Sequence, residues 1–208
     1  MTEALLAIGG EAPPRGVLAD RLPGFRLVCA ADSGLDLLAA WNVAPGLIVG
    51  DMDSLSDLSL LGRYPGAEIL RFPTAKDDSD TEIGLRLLRE RGADRVVIAG
   101  GGGGRLDHLL AIRALFGRAC HPDEWHTAHE SCFRIGEGDS LSLATRAGAT
   151  ISVFPVGEGA SGMESEGLRW PLSGLVWDAC GFGLSNEASG SRVTVRAGRG
   201  SLLVVALR

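Results

Sequence analysis

The apolar positions of this chain change rhythm about two-thirds of the way along. Up to residue 120, short continuous apolar runs alternate with longer stretches in which apolar residues return every three or four positions. The runs ALLAI (4–8), RLVCA (26–30), LIVG (47–50), AEILRF (67–72) and RVVIAG (95–100) read as strands. The stretches SGLDLLAAW (33–41), DTEIGLRLLRERG (80–92) and DHLLAIRALFGR (107–118) read as helices. In the second of these, Ile83 and Leu87 lie four apart and Leu85 and Leu88 three apart, and Arg91-Gly92 supplies a stop signal. Strands alternating with helices predict βα units and a mainly parallel sheet covered by helices on both faces.

Beyond residue 128 the pieces SLSLAT (140–145), TISVFPV (150–156), GLRWPL (167–172), GLVWDA (174–179), RVTVRA (192–197) and SLLVVAL (201–207) are short, alternate in polarity and are parted by glycine turns. That spacing predicts an antiparallel β-sandwich. The chain is therefore read as an α/β domain over 1–128 and an all-β domain over 129–208, joined near HPDEWHTAHES (121–131).

The charged residues gather where the predicted strands end. Asp32 follows the second run, Asp51 and Asp53 the third, Lys76, Asp77 and Asp80 the fourth, and Arg105 and Asp107 the fifth, after the run Gly100–Gly104. In a parallel sheet all strand C-termini share one edge, and ligands of such folds bind there. Some of these residues have a plain structural reading. Ser79 and Glu82 form a capping box, Ser54 and Asp57 repeat its signature, and Asp80 and His108 suit a first helical turn. Capping does not account for Asp51 with Asp53, or for Asp77 with Asp80. Two carboxylates about 5 Å apart repel by about 3 kcal/mol at an effective dielectric near 20, so a cluster calls for a cation. Hard oxygen donors suit Mg²⁺, which is held by one or two carboxylates together with substrate phosphates. Lys76 is the single lysine among nineteen arginines. Beside a helix N-terminus and a glycine run it is placed to grip a phosphate oxygen, and Arg105 to hold two. The glycine run matches neither the P-loop nor the dinucleotide fingerprint.

Composition narrows the partners. The 208 residues carry a formal net charge of −6, against a broad grip on nucleic acid. No apolar run reaches the roughly 18 residues of a membrane span, and the N-terminus lacks the pattern of a signal peptide, so a cytoplasmic protein is expected. Cys29, Cys120, Cys132 and Cys180 show no metal or redox spacing. His126 and His129 with Glu130 imitate metal spacing but read as a solvated linker, and Trp170 and Trp177 read as core residues of the sandwich.

Taken together, AADSG, PGLIVGDMDS, KDDSDTEIGL, GGRLDHLLA, ISVFPVG, GLRWPL and GLSNE resemble, in order, the motifs of the thiamine pyrophosphokinase family over nearly the whole chain. The resemblance implies an α/β catalytic domain that binds ATP and Mg²⁺, and a β-sandwich that binds thiamine and dimerises. It also implies a homodimer with active sites between subunits. It assigns Asp51, Asp53 and Asp80 to Mg²⁺ and the ATP phosphates, with Asp32 close by. Lys76, Asp77, Gly103, Gly104, Arg105, Asp107 and His108 are assigned to the nucleotide and diphosphate pocket, and Ser185 and Asn186 to thiamine. The sequence departs from the family pattern at Ser33, Asp36, Ile112 and Ala188, around the substrate pocket more than the acids.

The implied reaction is an in-line attack of the thiamine hydroxyl on the β-phosphorus of ATP, with AMP leaving and either Asp80 or Asp107 orienting or deprotonating the hydroxyl. Two rival functions stand beside it. One is a nucleotide-binding regulatory protein without turnover, the other a metal-dependent hydrolase passing the diphosphate to water.

Overall fold

Five apolar runs become strands of a six-stranded sheet, four of them in its interior and the run over 67–72 at its edge, where it is largely exposed. The computed structural model describes residues 1–208, which divide into two compact units, Met1–His129 and Glu130–Arg208. The first holds β1 (Glu3–Ala7), β2 (Leu27–Ala31), α1 (Gly34–Trp41), β3 (Leu47–Gly50), β4 (Glu68–Arg71), α2 (Asp80–Glu90), β5 (Arg95–Ala99), α3 (Leu106–Leu115) and β6 (Glu124–His126). All its strand pairs are parallel, in the order β6-β5-β1-β2-β3-β4. From β1 the chain winds outward to β4, then returns to β5 on the other side, so the strand order reverses between β1 and β5. Ligand crevices of open α/β sheets form beyond the strand C-termini at such a reversal.

Both faces of the central strands are covered, which is why they read as unbroken apolar runs. On one face Leu35, Leu38 and Trp41 of α1 pack with Leu5, Ala7, Ala30 and Ile48. On the other face Gly84 lets α2 approach closely. A Cβ there would lie 2.7 Å from Leu6 Cδ1 and 3.4 Å from Cys29 Sγ. The Cys29 thiol is pushed up to about 12 by burial, as expected of an inert core thiol.

The start of α1 is fixed by a tighter contact. A Cβ on Gly34 would stand 2.0 Å from the backbone oxygen of Ala7, in the middle of the sheet. Gly34→Ala should therefore destabilise the protein by about 2 kcal/mol, because a core that cannot yield to one methyl group must shift backbone. Urea unfolding of that variant checks this, and an unchanged midpoint would mean that α1 is not seated as described.

Strand β6 corrects the sequence expectation. The sequence places this stretch at the join of the two domains and reads His126 as part of a solvated linker, yet Glu124, Trp125 and His126 are all buried. Three residues are too few to display a periodicity. Trp125 Nε1 donates to Gly100 O at 2.8 Å, and Glu124 lies under a canopy of donors. Arg21 Nη1 (2.7 Å), Arg95 Nη2 (2.9 Å) and the His126 ring at Nε2 (3.0 Å) all reach its carboxylate. Burial pushes the Glu124 carboxyl up, but the hydrogen bonds from His126 and Arg21, the Arg21 charge and the Arg95 bond outweigh it and hold it at about 2.

The second unit is all β, with every pairing antiparallel. Its strands are β7 (Glu130–Ile135), β8 (Ser140–Ala144), β9 (Thr150–Ser161), β10 (Glu164–Glu166), β11 (Val176–Asp178), β12 (Gly183–Glu187), β13 (Arg192–Arg196) and β14 (Arg199–Leu207). One sheet carries β7, β14 and β9, with β11 and β12 both paired to β9, and a second runs β10-β13-β8. Ile151, Val153, Leu202 and Val204 from the first sheet meet Val193 and Val195 from the second, which makes a sandwich core. The segment GLRWPL is not a strand. It touches the ladder only through the isolated bridge Leu168–Ala188, because Pro171 cannot donate to a sheet. Trp177 packs against the sandwich core as expected, whereas Trp170 does not. Its indole is 52 % exposed and the Arg169 guanidinium lies 4.8 Å from the ring centroid.

Candidate active site

The loops after β2 and β3 are built to bring acids together. Asp32, just after β2, has φ 47, Met52 has φ 67 and Gly50 has φ 134, so the chain turns sharply at both strand ends. Side chains seldom accept such angles, and Asn and Asp accept them best. Gly50 is required for a second reason, since a Cβ there would lie 2.3 Å from Asp32 Oδ1. The freed space lets Asp32 Oδ1 accept from Met52 N at 3.0 Å, which ties the two loops.

Across that tie, one carboxylate oxygen from each of Asp32, Asp51 and Asp53 lies within 4.8 Å of the others. Asp51 accepts from Asp53 N at 3.2 Å, and Ser54 Oγ donates to Asp53 Oδ1 at 2.9 Å. The hydrogen bond from Thr74, that from Asp53 N and the charge of Lys76 hold the Asp51 carboxyl below its ordinary range. Asp32 moves the other way. Burial, together with the charges of Asp80 and Asp51, pushes it up to about 6 against the opposing Met52 hydrogen bond.

Asp80 stands in the first turn of α2, next to Asp32, rather than in the tight triad. Its Oδ1 is 3.2 Å from Lys76 Nζ, an ion pair whose angle is too poor for a hydrogen bond, so that buried oxygen is held by charge alone. Lys76 Nζ also donates to Pro73 O at 3.1 Å. The lone lysine is thereby folded back over the acids by its own loop. A compact ammonium on a flexible stem can do this, whereas a planar guanidinium needs a wider berth. Asp77 is exposed.

Around α2 the capping box at Ser79 and Glu82 is present with both reciprocal bonds. The parallel expectation for Ser54 and Asp57 is corrected. No helix starts after Ser54, whose hydroxyl serves Asp53, and Asp57 instead caps the 3₁₀ helix over Leu58–Arg63 by accepting from Ser59 N at 2.8 Å. Two serine-acid pairs with the same spacing thus take different roles, because only one precedes an amphipathic run.

The glycine run divides by function. A Cβ on Gly100 would strike Ile8 O at 2.2 Å and one on Gly102 would strike Glu11 O at 2.7 Å, where Glu11 and Gly102 pair as a short bridge. Gly103 and Gly104 follow with φ 64 and 62, and nothing lies within 4 Å of a Cβ built on Gly104. They lead into α3, whose N-cap, Arg105, makes no side-chain cap. Arg105 instead grips Asp107 through Nε (3.1 Å) and Nη2 (2.5 Å), and Asp107 also accepts from His108 N at 3.0 Å. The Arg105 hydrogen bonds hold Asp107 at about 2, although both side chains are exposed.

In the second unit Ser185 sits in a bulge of β12 with φ 55 and donates its N–H to Ser152 Oγ at 3.0 Å. Asn186 is buried and clamps Trp170 from both sides, accepting from its N–H at 3.1 Å and donating to its carbonyl at 2.6 Å. Sequence reasoning did not single out Thr74, Met52 or Ser56, whose parts depend on loops that close only in three dimensions.

The donor set fits a divalent, oxygen-preferring cation. Three carboxylate oxygens within reach of one ion, with a fourth acid behind them, are hard ligands whose mutual repulsion an ion of charge two relieves. A parallel α/β unit with such acids and an open glycine turn leading into a helix N-terminus at its strand ends is the architecture of an enzyme that handles phosphoryl groups. Two sequence profiles match the chain, "Thiamin pyrophosphokinase, catalytic domain" over residues 20–122 and "Thiamin pyrophosphokinase, vitamin B1 binding domain" over residues 140–202. The chain belongs to the thiamin pyrophosphokinase family.

Solved structures agree in fold. A thiamin pyrophosphokinase family protein from Enterococcus faecalis superposes with a TM-score of 0.81 at 19% identity, covering 100% of this chain and 99% of that one. Thiamine pyrophosphokinase from Bacillus subtilis gives 0.81 at 22%, covering 100% and 99%. The yeast protein gives 0.72 at 16%, covering 100% and 86%. No curated protein sequence matches it.

Proposed function

We propose that this chain transfers the terminal diphosphate of ATP to the hydroxyl of thiamine, giving thiamine diphosphate and AMP. The observation that carries the reading is the meeting of Asp32, Asp51 and Asp53 beside the Lys76–Asp80 pair, in a chain whose two parts match the two domain profiles of one family. Asp51 and Asp53, with Asp32 and Asp80 beside them, would hold Mg²⁺. When bound, the ion neutralises phosphate oxygens and orients the polyphosphate.

The protein's own groups supply the remainder. Lys76 offers a cation at the edge of the acids, and Gly104, with open space where a Cβ would stand, lets phosphate approach the start of α3, while Gly103 turns the chain past the Glu11 side chain. Arg105 presents the edge of its guanidinium not used by Asp107 and offsets charge developing on the leaving AMP. His108 and Asp77 border that pocket. The thiamine oxygen bonds to the β-phosphorus as the bond from that phosphorus to the oxygen it shares with the α-phosphorus breaks. Two acids can orient the hydroxyl: Asp80, paired with Lys76 beside the carboxylates, and Asp107, paired with Arg105 at the start of α3.

Ser185 belongs to the thiamine side, with Asn186 holding Trp170 beside it. Two copies pair through the apolar edge of the sandwich, where Val176 (79 %), Leu184 (64 %) and Phe182 (57 %) stand exposed on and beside β11 and β12. Tracking AMP and thiamine diphosphate with and without thiamine and Mg²⁺ tests the activity. AMP should form only when both are present, in equal amount to thiamine diphosphate. AMP formed equally fast without thiamine would make the protein a hydrolase, and ATP binding without AMP would make it a regulator.

A further inference from the structure

We propose that Asp36 is a positioning residue for the carboxylate triad: together with Asp32 it holds the loop Met52–Ser56 at both ends and so fixes Asp53. The proposal rests on the metal-site reading above. Asp36 lies in the first turn of α1, away from the triad itself. Its Oδ1 accepts from Ser56 Oγ at 2.6 Å and its Oδ2 from Ser56 N at 3.2 Å. At the other end of the loop Asp32 Oδ1 accepts from Met52 N at 3.0 Å. Within Met52–Ser56 the only other backbone hydrogen bond is the local one from Asp53 N to Asp51 Oδ1. Asp53, the second residue of this loop, hydrogen-bonds only with its chain neighbours Asp51 and Ser54.

The platform behind the clasp is rigid. Helix α1 is seated by Gly34 against Ala7 O, with Leu35 and Leu38 at 0% exposure. A carboxylate projecting from that helix can therefore define where Ser56, and hence the exposed Asp53, stands. An acid in a first helical turn would suit the helix dipole without any loop to hold. Two hydrogen bonds to one distant serine go beyond what the dipole asks for. An asparagine could accept from Ser56 N and donate to Ser56 Oγ, so either residue closes the clasp.

The test is Mn²⁺ uptake, read by electron paramagnetic resonance, in the presence of α,β-methylene-ATP, whose diphosphate cannot be transferred. Thermal melting without metal is measured alongside. Asp36→Ala should raise the half-saturating Mn²⁺ concentration by about tenfold, the effect of losing one charge-assisted hydrogen bond pair. Ser56→Ala, which removes one bond from the opposite side, should raise it about threefold, and the double variant should be no weaker than Asp36→Ala alone. Asp36→Asn should remain within about threefold of the parent protein, since it can restore both bonds. A lower melting temperature with unchanged Mn²⁺ uptake in both Asp36→Ala and Ser56→Ala would overturn the proposal, as would an Asp36→Asn variant as weak as Asp36→Ala. Asp51→Asn separates this from the underlying reading. If that variant also takes up Mn²⁺ normally, the metal site itself is wrong and the proposal falls with it. If only the Asp36 and Ser56 variants behave normally, the proposal alone falls.

Discussion

Asp51→Asn should lower diphosphate transfer by about a hundredfold or more while leaving the fold as it is, an effect of the size seen when one preorganised charge-stabilising group is lost. The amide is nearly isosteric, and its oxygen can still accept from Asp53 N as the carboxylate does. What disappears is one negative charge from a group of acids that includes Asp32, Asp53 and Asp80. The loss reduces repulsion in the empty site, so thermal stability without metal should be equal to or above that of the parent. Turnover should fall and the Mg²⁺ requirement rise. Steady-state formation of AMP and thiamine diphosphate, paired with a melting curve, reads both. Near-normal turnover would remove Asp51 from the metal set.

The second large effect concerns stability and leaves the chemistry alone. Glu124→Ala should destabilise the protein by about 3 kcal/mol, because Arg21 and Arg95 lose their shared buried partner. The pH dependence is more specific. Glu124 has an ordinary carboxyl value of 4.5 and is held at about 2 in the folded protein. A depressed folded value means that the unfolded chain binds the proton first. The stabilisation is therefore complete above about pH 4.5 and lost as the pH falls from there to about 2, and it amounts to about 3 kcal/mol. Glu124→Gln keeps hydrogen-bonding capacity but cannot titrate. Urea unfolding of parent and variant from pH 6 to pH 3 should show the difference between them shrinking as the pH falls. A difference independent of pH would mean that Glu124 is not ionised in the native cluster.

Much of the α/β unit was legible because its signals are local. The run LIVG became β3 without a residue's change, and Ser79 with Glu82 capped α2 as their spacing implies. The strand EWH was illegible, since its burial comes from lying against β5 and from Arg21, more than a hundred residues away in sequence. Trp170 was misread for a related reason. A tryptophan in a sandwich is commonly a core residue, but Pro171 keeps the segment out of the ladder and the indole stands on the surface.

The candidate site shows the same division. The sequence by itself determined which groups gather at the strand C-termini, because βα units put those ends on one edge and the acids, the lysine and the glycine run each directly follow a strand. Only the tertiary structure decided which acids touch. Asp32 joins Asp51 and Asp53 because positive φ at Asp32 and Met52 and the missing side chain of Gly50 fold two loops into one, while Asp80 turns toward Lys76. Periodicity specifies where a strand ends. The direction of a carboxylate a few ångströms beyond it is set by dihedral angles and hydrogen bonds between segments far apart in the chain.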